Sequence, residues 1–195
     1  LQVLRRLGYL DADEGVTLKG RVACCFGTGD ELISAELALS GALQDLDAAQ
    51  AAALLSALVF QDRAGDEGGL EGEDALRWGC VAAREAAERV LEAQNAAGMG
   101  RGAKGAGFQR SGPLNFGLVG VVKEWARGVP FLELCRLTDV MEGNIVRTIT
   151  RLDETCREFQ NAAHVMGNPA LFKLMEAASA AIKRDVVFAA SLYVA

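Results

Sequence analysis

Arg147 and Arg151 stand one helical turn apart, and Glu154 follows three residues later. On one helix face, that spacing lets guanidinium groups track a single nucleic-acid strand through phosphate or base contacts, with a carboxylate beside them. The same spacing also makes a solvated face held by i,i+3 and i,i+4 ion pairs, and on physical chemistry alone this plainer reading is the stronger. All three residues belong to the stretch from Thr138 to Met166, TDVMEGNIVRTITRLDETCREFQNAAHVM, the longest uninterrupted helical pattern in the chain. At about 100° per residue, Ile145, Ile149, Leu152, Cys156, Phe159, Ala163 and Met166 form one apolar stripe, with Arg147, Arg151, Glu154 and Glu158 roughly opposite. One side requires a core, and the other is lined with arginine and glutamate.

Other groups capable of chemistry carry less. Gly100-Arg101-Gly102-Ala103-Lys104-Gly105 matches G-x-G-x-x-G, but a dinucleotide site needs a strand before it and a helix opening on it. Here a helix precedes and glycine continues, so a plain loop is the better reading. Arg101, Lys104 and Arg110 on that loop could brush an RNA backbone. No G-x-x-x-x-G-K-[ST] occurs, so the chain has no visible cradle for ATP, and the isolated chain is expected to lack ATPase activity. His164, the only histidine, lies near a helix end without Ser, Cys or Asp partners at recognisable spacing and reads as structural. The vicinal Cys24-Cys25 reads as a pair of small buried thiols rather than a redox couple. Asp153-Glu154 reads as an ordinary pair of surface carboxylates. Pro130 to Arg151 has the outline of a helix-turn-helix, yet Glu142 and Asn144 occupy the turn where a duplex reader would place basic residues.

The elements that must position these groups are helical. Leu1 to Gly8 predicts a short helix, followed by Tyr9-Leu10, an acidic turn at Asp11 to Gly15, and Val16-Thr17-Leu18 as a small β-hairpin; that order is found at the end of a winged-helix module. Lys19 to Ala23 begins another helical turn. Asp30 caps a helix carrying Ile33, Leu37 and Leu39, and Asp47 caps the almost wholly apolar Ala48 to Phe60, which must be central. Gln61 to Asp74 reads as a polar loop, and Ala75 to Ala97 as a helix with Leu76, Val81 and Val90 inward and Arg84, Glu85, Glu88 and Arg89 outward. Gly98 to Gly112 is a glycine-rich loop. Pro113 opens a helix that ends at Gly128, Pro130 starts a short one (FLELCRL), and Asn168-Pro169 starts a last helix running to the C-terminus, whose apolar end should be docked.

With 195 residues, 51% hydrophobic content and 6% aromatics, the chain is long enough for one sizeable core and reads as mostly α. Its net charge of -6 excludes the basic footprint of an autonomous nucleic-acid binder, so any nucleic acid must be met by a local group of arginines. Five scattered cysteines without a C-x-x-C pair point to a reducing compartment and away from zinc. No run of about 20 apolar residues occurs, and a start at Leu1 suggests a piece of a longer protein.

Four segments then carry a resemblance: LRRLGYLD with VTLKGRVAC and DELISAEL; AALLSALVFQD; LNFGLVGVVKEWARGVPF; and TDVMEGNIVRTITRLDETCREF through IKRDVVFAASLY. In this order, over nearly the whole chain, they resemble the C-terminal helical domain, often called DSHCT, of the superkiller-type and exosome-associated DExH-box RNA helicases. LNFGLV, EWARG and RLDETCRE are closer to the cytoplasmic superkiller branch than to its nuclear exosome relatives. Gly98 to Gly112 departs from the family, which has a longer polar and acidic helical approach there.

The resemblance implies a mostly α helical bundle over 27–195 with a long ratchet helix, preceded by the end of a winged-helix module over 1–26. It implies an RNA-guiding domain of an ATP-dependent 3′-to-5′ RNA helicase that feeds RNA to exosome-linked decay. The family's ratchet helix aligns with Glu142 to Met166, and its RNA-facing positions with Arg147, Arg151 and Glu154. The chain itself would hold no catalytic site, metal or cofactor; ATP and Mg would bind the RecA-like core of the parent protein. Implied partners are single-stranded RNA, that core, the superkiller-complex subunits and the RNA exosome, without a membrane, in the cytoplasm or alternatively the nucleus. The competing reading is a helical protein-interaction module without direct RNA contact.

Overall fold

The computed structural model describes residues 1–62, 68–99 and 113–184, almost all of them in helices or the turns between helices. The mostly α expectation holds. The short α1 (Gln2–Arg6) is followed by α2 (Leu18–Ala23) and α3 (Glu31–Leu39). The expected hairpin between α1 and α2 is reduced to one antiparallel bridge, Leu10 with Val16. Thr17 explains why: its hydroxyl accepts the Gly20 N–H and caps α2 at Leu18, so the second strand has no room to extend. Gly20 is required by close approach, since a Cβ there would stand 2.4 Å from the Tyr9 carbonyl oxygen.

Central to the fold is α4 (Ala48–Val59), in which every residue except Ala48 and Gln50 is buried. Asp47 starts it through a capping box, accepting the Gln50 N–H at 2.8 Å while the Gln50 side chain accepts the Asp47 N–H at 3.0 Å. Its alanines let neighbours approach closely, and it packs against α5 (Asp74–Ala96), α6 (Val119–Ala126), α8 (Glu142–Met166) and α9 (Pro169–Ile182). The one-turn α7 (Phe131–Leu134) links α6 to α8. Tyr9, Val22 and Phe26 belong to the same buried cluster as the α4 and α8 side chains. Among the described residues no helix is long and apolar enough to cross a membrane.

Several expectations are corrected. Val81 is 37% exposed rather than inward, although Leu76 and Val90 are fully buried, and Leu39 also lies at the surface. No helix starts at Pro113. Instead Leu114 and Phe116 are buried, Asn115 donates its N–H to the Ala57 carbonyl, and its side chain accepts the Gly117 N–H, which holds the chain off helical geometry until Val119. The helical pattern from Thr138 is shortened to the aligned bounds Glu142 to Met166, because the Thr138 hydroxyl accepts the Val140 N–H and turns the preceding residues. The polar loop ends one residue earlier than expected, with α5 starting at Asp74, and α7 spans only the first part of FLELCRL. The last helix stops at Ile182; the continuation expected for 185–195 and the glycine motif within 100–112 lie outside the described residues.

Charged side chains close the bundle at two points. Glu73 receives Arg127 Nη1 at 2.6 Å, Gln50 Nε2 at 2.8 Å and Lys123 Nζ at 3.3 Å, while Lys123, itself buried, donates to the Gly69 carbonyl. These donors, the Arg127 guanidinium first, hold the Glu73 carboxyl down to about 2. At the end of α9, Arg184 stacks on the Trp125 ring and donates to the Trp125 and Val129 carbonyls, fastening α9 to the end of α6.

Candidate nucleic-acid interface

The apolar stripe of α8 is where periodicity puts it. Ile145, Ile149, Leu152, Cys156, Phe159 and Ala163 are fully buried, Met166 packs at the margin, and Phe159 meets Phe26 edge-to-face at 4.8 Å. Burial, with the Asp153 carboxylate nearby, pushes the Cys156 thiol up to about 12, so it stays neutral in the core. Glu142 in the first turn complements the helix dipole, and Gly167, at φ +68°, ends the helix. His164 is exposed.

The charged side of α8 divides in two. Among the described residues, exposed Arg147 reaches only Asn144 Oδ1 at 3.3 Å, and exposed Glu154 has no hydrogen bond or ion pair. Arg151 and Glu158 are half-buried and hold the loop between α2 and α3. Arg151 Nη2 donates to the Thr28 carbonyl at 2.8 Å. The Glu158 carboxylate accepts the Gly27 N–H at 3.0 Å, the Thr28 N–H at 3.1 Å and the Thr28 hydroxyl at 2.6 Å. Thr28 Oγ1 also lies 2.9 Å from Thr155 Oγ1. The one ion pair that a solvated face could form among the three, Arg151 with Glu154 at i,i+3, is therefore not made.

Asp153 corrects a second expectation. It is no surface carboxylate but 4% exposed, accepting from Arg157 at 2.6 Å and from the Ser179 hydroxyl at 2.6 Å, with Lys183 Nζ 3.0 Å away. It ties α9 to α8. Cys24 is exposed and Cys25 half-buried, so the vicinal thiols are not the buried pair expected; burial raises the Cys25 pKa, with Cys24 and Glu158 adding to it.

Sequence reasoning placed Arg147, Arg151 and Glu154 on one helix side, and the structure leaves four of the five Arg151 N–H donors without partners among the described residues. Such an array offers fixed donors to phosphate or base edges beside an unpaired carboxylate. Glu158 and Thr28 were missed as a unit. The only signal was the Gly27-Thr28-Gly29 run before the Asp30 cap, which marks a tight loop but names no partner for it.

Comparison with known proteins follows the same outline. The DSHCT (NUC185) domain model matches residues 13–189. The chain is 47% identical, over all of its own length, to the DExH-box ATP-dependent RNA helicase DExH11 of Arabidopsis thaliana, of which it covers 14%. It is 45% identical to Superkiller complex protein 2 of Homo sapiens over 99% of the chain and 15% of that protein. It is 36% identical to the Exosome RNA helicase MTR4 of Homo sapiens over 98% of the chain and 18% of that protein.

Proposed function

The chain belongs to the DSHCT (NUC185) domain family, and from that premise we propose that it is the RNA-guiding C-terminal domain of an ATP-dependent 3′-to-5′ RNA helicase acting in exosome-linked RNA decay. The chain spans 14% to 18% of the length of the relatives named above, and the ATPase core, with ATP and Mg, would lie in the rest of such a protein. The higher identity to Superkiller complex protein 2 than to MTR4 supports the superkiller branch, cytoplasmic and working with superkiller-complex subunits and the exosome.

The observation that carries the RNA reading is the division of α8. Arg147, Arg151 and Glu154 stay free of one another on a face whose opposite side is fully buried. A face kept for solvation alone gains by pairing its charges, whereas a face that meets a strand keeps cationic donors open. The 26–29 loop and α8 together form the strand-facing edge, with the residues 1–26 as the end of a winged-helix module leading into it.

Crosslinking the complete protein to single-stranded RNA tests the reading. Crosslinks should map to Arg147 and Arg151 and weaken as salt rises. Arg151→Ala should slow unwinding more than it lowers folding stability, of which the single bond to the Thr28 carbonyl contributes about 1 kcal/mol. Crosslinks confined to other proteins, with unwinding intact in Arg151→Ala, would instead establish a protein-interaction module.

A further inference from the structure

Arg151 does not set its own position. Its guanidinium is held by one backbone carbonyl, that of Thr28, and Thr28 sits in a loop separated from α8 by more than a hundred residues of chain. The loop backbone is in turn held by Glu158, two turns further along the same helix, through two N–H groups and one hydroxyl. The Thr28 hydroxyl also meets Thr155, whose Oγ1 donates to the Arg151 carbonyl at 3.2 Å. Because the Thr28 hydroxyl spends its one proton on Glu158, the single Thr155 proton serves either Thr28 Oγ1 or the Arg151 carbonyl, and the latch proper is Arg151 to the Thr28 carbonyl and Thr28 to Glu158.

This arrangement has an electrostatic consequence. A carboxylate on the same side of the helix as an arginine would ordinarily compete for its guanidinium. Glu158 is instead occupied by loop donors and forms no ion pair with Arg151, and Glu154, three residues from Arg151, forms none either. A carbonyl holds the guanidinium in place without neutralising it, which a carboxylate would do.

We propose that Glu158 and Thr28 are positioning residues for Arg151, forming a latch that fixes its guanidinium in a strand-facing, unneutralised state and joins the α2–α3 loop to the long helix. The proposal rests on the strand-guiding role of Arg151. Without the latch, Arg151 is free to swing onto Glu154, and its remaining donors are no longer preorganised for a phosphate.

The test is a double-mutant cycle in the complete helicase, read as the unwinding rate of an RNA duplex with a single-stranded 3′ overhang. Glu158→Ala should slow unwinding about fivefold, within the range of coupling between contacting residues. Thr28→Val, which keeps the side-chain shape and removes only the hydroxyl, should act in the same direction and more weakly. In an Arg151→Ala background both should have less than about a twofold further effect. A purely structural role predicts losses that multiply in that background, and such multiplication would overturn the proposal. If Glu158→Ala does not fold, Thr28→Val carries the same cycle. Unwinding impaired by Arg151→Ala but untouched by both latch variants would remove the latch alone. Unwinding untouched by Arg151→Ala would remove the strand-guiding role and the latch with it.

Discussion

Asp153 and Glu154 are adjacent in sequence and each has an arginine within one turn, yet they have opposite fates. Asp153 turns into the seam between α8 and α9 and is met by Arg157, Ser179 and Lys183. Glu154, rotated by about 100°, is exposed and meets nothing among the described residues. A buried carboxylate must be paired, because the desolvation cost of an isolated charge is severe. An exposed one bears no such cost and is left available to a ligand. Charge content alone therefore does not separate a structural anchor from an open face on this helix; the rotation of one residue does.

Removing the anchor should give the largest effect. Asp153→Ala removes the charged acceptor of the buried Ser179 hydroxyl and of Arg157 at the α8–α9 seam, and the loss of these two hydrogen bonds should cost about 3 kcal/mol in denaturant unfolding. Arg157→Ala removes only the more exposed partner of the same pair and should cost about 0.5 kcal/mol. Equal losses for the two would mean that Asp153 is not the buried centre of its cluster. Glu73 extends the closed class to a second seam. Glu73→Ala leaves the buried Lys123 short of a partner and should cost about 2 kcal/mol. Its pKa is about 2 in the folded chain, below the ordinary glutamate value of about 4.3. The unfolded chain therefore takes up the proton first, so the stabilisation is present above the ordinary value and is lost as pH falls toward 2. Glu73→Gln should flatten that part of the acid limb of the stability curve, and an unchanged acid limb would show that the carboxylate is not held as described.

What could be read from the sequence was local. The Asp30 and Asp47 caps, the Asn168-Pro169 start and the apolar stripe of α8 are each specified within one or two helical turns, and all formed as expected. What could not be read depends on contacts between distant parts of the chain. Pro113 looks like a helix start until Asn115 is found bonded to Ala57. Glu158 looks like part of an open charged line until Thr28, 130 residues away, occupies it. The same limit affected the candidate site. Periodicity placed Arg147, Arg151 and Glu154 on one side of a helix, but it could not tell that Arg151 is tethered to a loop while Arg147 and Glu154 are open.

The open class predicts the smallest stability effects together with a distinct salt signature. Arg147→Ala and Glu154→Ala should each shift unfolding by no more than about 0.5 kcal/mol, as expected for exposed residues outside any network. If Arg147 neutralises one phosphate of a single strand, its loss should reduce the slope of log affinity against log salt by about 0.7. Arg157→Ala also removes one positive charge from the same helix, but from a guanidinium already committed to Asp153, and should leave that slope nearly unchanged. Net charge falls equally in the two variants, so a purely global electrostatic attraction would change both slopes alike. A slope lowered only by Arg147→Ala would localise strand contact to the open face, and equal slopes would erase the distinction between the two arginines.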